Sequence, residues 1–224
     1  MKKVLFPVIL LTLVVISCKK SDDTTNPVVV DSYMSITANS NWVYDVITNP
    51  GASQTVTEDT VTTTSTDTTV NGRTYRIFSH KSGTESYYNI SGHDYYQFRQ
   101  LSLAGTNIPV EDLYLKDDQV AGISWSQTVT LTVPGAPFPI PVTITNSIFE
   151  KGVTKTVNGV SYSDVITVKT DLTSSSLPAG SITSNIKSYY ARKVGLIQGD
   201  YSIQIPLATV NINTQTLLKT ATIQ

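Results

Sequence analysis

The chain has 224 residues, with 16 Lys and Arg against 17 Asp and Glu, a formal net charge of −1. This balance argues against nucleic acid as a partner, which needs clustered cations to displace counterions, and against charge-driven recruitment to anionic lipid. Cys18 is the single cysteine, so no intrachain disulfide can form and the fold must rest on its core.

Two lysines, Lys2 and Lys3, precede an apolar run that reaches Ile16. The run is too short to span a bilayer, which takes about 20 residues, and it reads as a secretory leader, residues 1–17. Val15-Ile16-Ser17-Cys18 looks like a bacterial lipobox, which makes Cys18 the acylated N-terminus of the mature protein. Several acyl chains suffice as an anchor, since each buried methylene contributes about 0.8 kcal/mol. Removing the leader leaves 14 basic against 17 acidic side chains. Residues 18–31 supply the lipidated cysteine and a polar, Thr-rich tether interrupted by Pro27. Ser32 to Gln224 is the length of one domain.

That domain is written in β-formers: the chain carries 33 threonines and 24 valines against nine alanines and four glutamates. At most one helical turn is expected, near Tyr33–Asn39. Asn71-Gly72 and Asn158-Gly159 each sit between alternating runs, the signature of a type I′ hairpin. Thr128–Val133 and Val142–Thr145 alternate with period two, as half-buried strands do. Further hairpin loops are expected at Pro134–Pro141, Ser174–Gly180 and Gln198-Gly199-Asp200. Short connections predict antiparallel pairing throughout.

The two Asn-Gly hairpins share their flanks. Thr69-Val-Asn-Gly-Arg-Thr-Tyr75 matches Thr156-Val-Asn-Gly-Val-Ser-Tyr162. Trp42 and Trp125 precede them, Ser-Tyr-Tyr follows each at 86–88 and 188–190, and a Gly/Asp/Tyr cluster follows that. The order predicts an all-β, antiparallel, internally duplicated domain spanning 32–224, with two β-units at about 40–101 and 123–205. These would form one curved sheet or half-barrel, or a sandwich.

Three motifs carry a family resemblance: Tyr33-x₈-Trp42-x-Tyr44, Val157-Asn-Gly-x-x-Tyr162-x-Asp-Val-Ile166 and Tyr189-Tyr-Ala-x-x-Val-Gly-Leu-Ile197. They resemble landmarks of Bacteroidetes surface lipoproteins, and the acidic pair Asp22-Asp23 resembles the export signal of that group. The resemblance implies an all-β, cup-shaped domain and no established activity.

Candidate sites are few. His80 and His93 are the two histidines, both read as solvated, with no nucleophile elbow beside His93. Glu111-Asp112 and Asp117-Asp118 read as a charged edge or hairpin tip rather than a calcium loop. Period two places Asp164 on an otherwise apolar face, where a carboxylate needs a tyrosine hydroxyl or backbone partner. The adjacent pairs Tyr87-Tyr88, Tyr95-Tyr96 and Tyr189-Tyr190 should each send one ring inward and one outward, and the outward three could form an aromatic platform.

These residues predict no catalytic group, no metal and no cofactor. The expected role is a membrane-anchored, non-enzymatic binding or structural module of the bacterial cell envelope, at the outer membrane and its surface. Its partners would be the membrane, through the lipid anchor, and a saccharide, peptide or apolar ligand. An alternative is a carrier of an apolar small molecule in a β-cup, which requires a cavity lined by Val, Ile and Leu. A third reading is a hydrolase using His93 or Asp164.

Overall fold

The computed structural model describes residues 31–51, 53–103, 106–131, 139–206 and 210–224. The leader, Cys18 and the tether up to residue 30 lie outside the described residues, as does most of the Pro134–Pro141 segment expected to be a hairpin loop.

The described residues form twelve strands: β1 (Asn41–Thr48), β2 (Thr55–Val70), β3 (Arg73–His80), β4 (Glu85–Ser91), β5 (Asp94–Leu103), β6 (Thr106–Lys116), β7 (Ser124–Leu131), β8 (Ile140–Val157), β9 (Val160–Thr173), β10 (Thr183–Ala191), β11 (Gly195–Ile205) and β12 (Val210–Thr222). There is no α-helix among the described residues, and Tyr33–Asn39 forms bends and one turn instead of a helical turn. Period two explains the strands directly. In β8, Ile140, Val142, Ile144, Asn146 and Ile148 are buried while each intervening residue is only half-buried.

All twelve strands join in one antiparallel sheet, ordered β6-β5-β4-β3-β2-β1-β12-β11-β10-β9-β8-β7. Six strands run as a meander, β1 to β6, and six more as a second meander, β7 to β12. The ladder between β1 and β12 joins the two, Asn41 opposite Thr222 through Thr48 opposite Thr214. The sheet then curls until its end strands, β6 and β7, face each other.

Among the described residues no backbone ladder closes that last junction; side chains take its place. Gln127 of β7 donates from Nε2 to the Glu111 carbonyl (2.7 Å), and its Oε1 accepts from the Leu113 N–H (3.4 Å). The Trp125 indole N–H (2.6 Å) and Asn146 Nδ2 (3.0 Å) both donate to the Leu113 carbonyl. An edge strand presents unpaired backbone groups, and here amide and indole side chains satisfy them.

The landmarks of the sequence fall on equivalent strands of the two meanders. Trp42 lies on β1 and Trp125 on β7; the Asn-Gly turns join β2 to β3 and β8 to β9; Tyr87-Tyr88 lie on β4 and Tyr189-Tyr190 on β10. Asn71 and Asn158 have φ of 52° and 46°, and both following glycines have φ of 79°, as type I′ turns require. Each meander runs one strand beyond the expected unit, to β6 and β12. Stepping six strands along the ring carries the β1–β12 junction onto the β7–β6 junction, so the laddered and side-chain junctions are topological counterparts.

Two local expectations are corrected. Gln198-Gly199-Asp200 is not a loop but the middle of β11, paired with Tyr189, Ser188 and Lys187. The reversal occurs earlier, at Arg192–Val194, with Lys193 at φ 65° and Gly195 at 102°. Gly199 serves packing: a Cβ there would collide with the Tyr201 ring. Asp164, in turn, is not on the apolar face. Ser163 and Asp164 together oppose a single residue of β8, and Asp164 has φ 52°. This bulge breaks the period and turns the carboxylate aside.

One end of the barrel is plugged by residues 32–40. Tyr33 is fully buried there, its N–H donating to the Tyr95 hydroxyl (3.1 Å) and its own hydroxyl to Asp164 Oδ1 (3.1 Å). Trp42 donates its indole N–H to the Val194 carbonyl (2.6 Å).

Candidate functional site

Inward side chains leave two adjoining cavities inside the barrel, of about 400 and 220 Å³. The larger falls in the size range of small-molecule sites. Its aliphatic lining comes from β7 to β12: Val129, Val142, Ile144, Val168, Leu172, Ile186, Ile203, Ile205, Val210 and Ile212. The smaller is aromatic, walled by Trp42, Tyr44, Phe78 and Tyr88. Gln97, Arg99, Tyr114, Tyr190, Tyr201 and Thr216 border both and form a polar belt across the barrel.

Arg99 dominates the belt electrostatically. The other three arginines are ion-paired, Arg73 with Glu111, Arg76 with Asp67 and Arg192 with Asp164. Arg99 forms no ion pair among the described residues, and its buried Nε has no hydrogen-bond partner. Its charge acts on Asp112, one strand away on β6, where Gln97 pairs with Asp112 and Arg99 with Val110. Asp112 is 7% exposed, and its Oδ1 accepts from Gln127 (3.2 Å) and Asn146 (3.2 Å). Burial pushes its carboxyl above the usual value, while Arg99 and the Asn146 hydrogen bond pull the other way. Glu111-Asp112 is therefore not a hairpin tip: Asp112 faces the interior, and Glu111 accepts outside from Arg73 (2.9 Å) and from the Tyr75 hydroxyl.

Burial pushes Tyr114 and Tyr190 well above the ordinary phenol value, and Tyr88 to about 12. The sequence signal for Arg99 was present in Tyr95-x-Gln97-x-Arg99, where period two puts the guanidinium on the same face as a core tyrosine. It is visible only once β5 is known to be a strand of a closed sheet.

His80 is corrected as well. It is not solvated but sits at the smaller cavity, its Nδ1 2.7 Å from Asp59 Oδ2 and its Nε2 2.9 Å from Ser86 Oγ. This matches the spacing of a Ser-His-Asp relay. Ser86, however, is 7% exposed and does not line either cavity. The row Asp59–His80–Ser86 is hydrogen-bonded end to end, with Asp59 and His80 at the smaller cavity and Ser86 behind them. His93 is exposed in the β4–β5 turn, its Nδ1 2.5 Å from Asp117 Oδ1, and Asp117 Oδ2 also accepts from Tyr95 (2.5 Å). Among the described residues no group of three or more His, Cys, Asp or Glu converges as a metal site.

The tyrosine pairs split across the sheet. Tyr88 and Tyr190 face the cavities, and Tyr95 is buried beside Tyr33. Their neighbours face the other way and are engaged. Tyr96 lies under the Arg73 guanidinium (3.4 Å to the ring centroid), Tyr189 under Lys155 Nζ (3.9 Å), and Tyr87 packs on Phe98 while donating to Glu85 (2.8 Å). Tyr87 and Tyr96 share the β4–β5 surface, whereas Tyr189 lies on β10, in the other meander. The structure thus gathers Tyr88 and Tyr190 at one site, inside, and spreads the outer three apart.

Asp164 accepts from the Tyr33 hydroxyl, as the sequence suggested, and also from Arg192 Nε. Burial disfavours its charge, but these hydrogen bonds and the Arg192 charge prevail and hold its carboxyl below the usual value. Its role is to fasten the plug to the β9 bulge.

The chain matches no known family, no curated protein and no solved structure.

Proposed function

We propose that the protein is a lipid-anchored binding module of the bacterial cell envelope that holds a largely apolar small molecule inside its barrel. The observation that carries this reading is the 400 Å³ cavity with its ten aliphatic side chains. A close-packed interior leaves few voids larger than a water molecule, so an unfilled chamber of this size is a feature that stability alone does not favour. Its apolar wall also suits a ligand better than water, which needs polar partners. The lipobox residues and the polar tether support anchoring at Cys18, with the ligand chamber carried on the membrane surface.

The test uses full-length Cys18→Ser protein and the neutral dye N-phenyl-1-naphthylamine, whose fluorescence rises in apolar surroundings. Saturable binding of about one dye per chain is expected. Ile144→Trp, which projects an indole into the larger cavity, should abolish it while leaving the circular dichroism spectrum of the barrel intact. A folded wild-type chain that takes up no dye, or an Ile144→Trp chain that binds unchanged, refutes the cavity reading.

A further inference from the structure

We infer that the ligand is an anionic amphiphile, a carboxylate on an apolar body, and that Arg99 is the residue that binds its head group; this rests on the cavity reading above. Placing a guanidinium beside an aliphatic chamber is costly, and a buried N–H without an acceptor adds the loss of its hydration. Arg99 bears both penalties: it borders the two cavities, its Nε lacks a partner, and it forms no ion pair among the described residues.

The residues around it do not remove the deficit. Asp112 is the nearby carboxylate, but its Oδ1 is taken by Gln127 and Asn146, and the separation from Arg99 exceeds that of an ion pair. Gln97 has its amide N–H engaged with the Tyr88 hydroxyl (2.8 Å). The Tyr201 hydroxyl lies 3.5 Å from Ser188 Oγ, a long contact with capacity for another partner. A planar carboxylate meets these needs together. It accepts the guanidinium N–H groups in the paired geometry arginine favours, takes the Tyr201 hydroxyl as a second donor, and lets its apolar body lie along Ile144, Leu172 and Ile203. A neutral apolar ligand would fill the chamber and leave the guanidinium without a counter-charge and its Nε without an acceptor. A cation would meet the charge of Arg99, and the one cavity-lining carboxylate near it, Asp112, already has its Oδ1 engaged by Gln127 and Asn146.

The experiment separates head group from chamber. Decanoate, decanol and decyltrimethylammonium are titrated by calorimetry into full-length Cys18→Ser protein and into the same chain carrying Arg99→Met or Arg99→Lys. Decanoate should bind wild type about 10- to 100-fold more tightly than decanol, the range of a charge-assisted hydrogen bond. Arg99→Met, which keeps the apolar stem, should erase that preference and leave decanol binding in place, and Arg99→Lys should restore part of it. Without ligand, Arg99→Met should also unfold at a urea concentration no lower than wild type, because the orphaned N–H is gone. Equal binding of decanoate and decanol by wild type, or preference for the cation, overturns the Arg99 inference while the chamber reading stands. Failure of all three amphiphiles to bind overturns the chamber reading itself.

Discussion

Replacing Gln127 with Ala tests whether the barrel is closed by side chains. Gln127 serves three groups of β6: the Glu111 carbonyl at 2.7 Å, Asp112 Oδ1 at 3.2 Å and the Leu113 N–H at 3.4 Å. Asp112 keeps one donor in Asn146 and the Leu113 carbonyl keeps two, so the variant strips the Glu111 carbonyl and the Leu113 N–H and weakens the solvation of a buried carboxylate. A buried group left without its partner costs about 1–3 kcal/mol. The 3.4 Å bond is weak, and water can reach the junction once the side chain is cut back, so the sum should be about 2–4 kcal/mol. Urea unfolding followed by circular dichroism reads this as a lower midpoint with an unchanged slope. Gln119→Ala provides the comparison, since that amide bonds only exposed Asp118 (2.9 Å), and it should cost about 0.5 kcal/mol or less. Asn146→Ala should be coupled to Gln127→Ala in a double-mutant cycle, because both donate to Asp112 Oδ1. A Gln127→Ala chain within about 0.5 kcal/mol of wild type would show that the junction does not hold the barrel.

Cys18→Ser should yield protein that is released from membranes or stalled as precursor; labelling with a fatty-acid analogue that still marks the variant would refute anchoring at that residue. Tyr190→Ala should destabilise the fold by about 3–5 kcal/mol, as aromatic-to-alanine changes in a core do, while Tyr189→Ala should cost about 1 kcal/mol or less; equal losses would contradict the inward and outward split. Asp164 has a lowered folded-state pKa, so its stabilisation is present above the unfolded value near 3.9 and is lost as pH falls through the folded one. Asp164→Asn should therefore flatten the acid limb of the stability curve below about pH 4, at a neutral-pH cost of about 1 kcal/mol or less, since the exposed pair is screened. A variant with the same acid limb as wild type would exclude the Arg192 and Tyr33 contacts as its cause.

The sequence exposed the elements more clearly than their curvature. Alternation in Val142–Thr145 and the Asn-Gly pairs depend on local sterics, so strands and turns were legible. Asp164 was misplaced because a bulge adds one residue, and a period of two cannot survive it. Gly199 was read as a turn because glycine permits one, whereas here it makes room for Tyr201, two residues on along the same face. The interior was the hardest part to read. Arg99, Asp112 and His80 are residue types usual on a surface, and only the ring of twelve strands places them inside. The outer tyrosines reverse that lesson: one outward ring per pair was legible, but not which ring it was, and the Arg73 and Lys155 that cover two of them come from other strands.

The seam and the cavity are not independent, and this gives the last prediction. Asp112 and Asn146 line the larger cavity and also take part in the bonds that hold β6 to β7 and β8. The strand that carries Arg99 is paired with the strand that carries Asp112, so an event at the belt should reach the junction. A ligand that binds only the folded barrel stabilises it by about 2.7 kcal/mol at a hundred times its dissociation constant. That gain is global unless occupancy also stiffens the seam locally. Amide exchange distinguishes the two. With decanoate bound, the Leu113 amide, which rests on the 3.4 Å bond to Gln127, should gain more protection than amides of the laddered β1–β12 junction. In Gln127→Ala the extra protection should vanish and decanoate should bind several-fold more weakly, because one wall of the belt is no longer held. Uniform protection across both junctions, with unchanged affinity in Gln127→Ala, would show that the side-chain seam closes the barrel without sensing what the barrel holds.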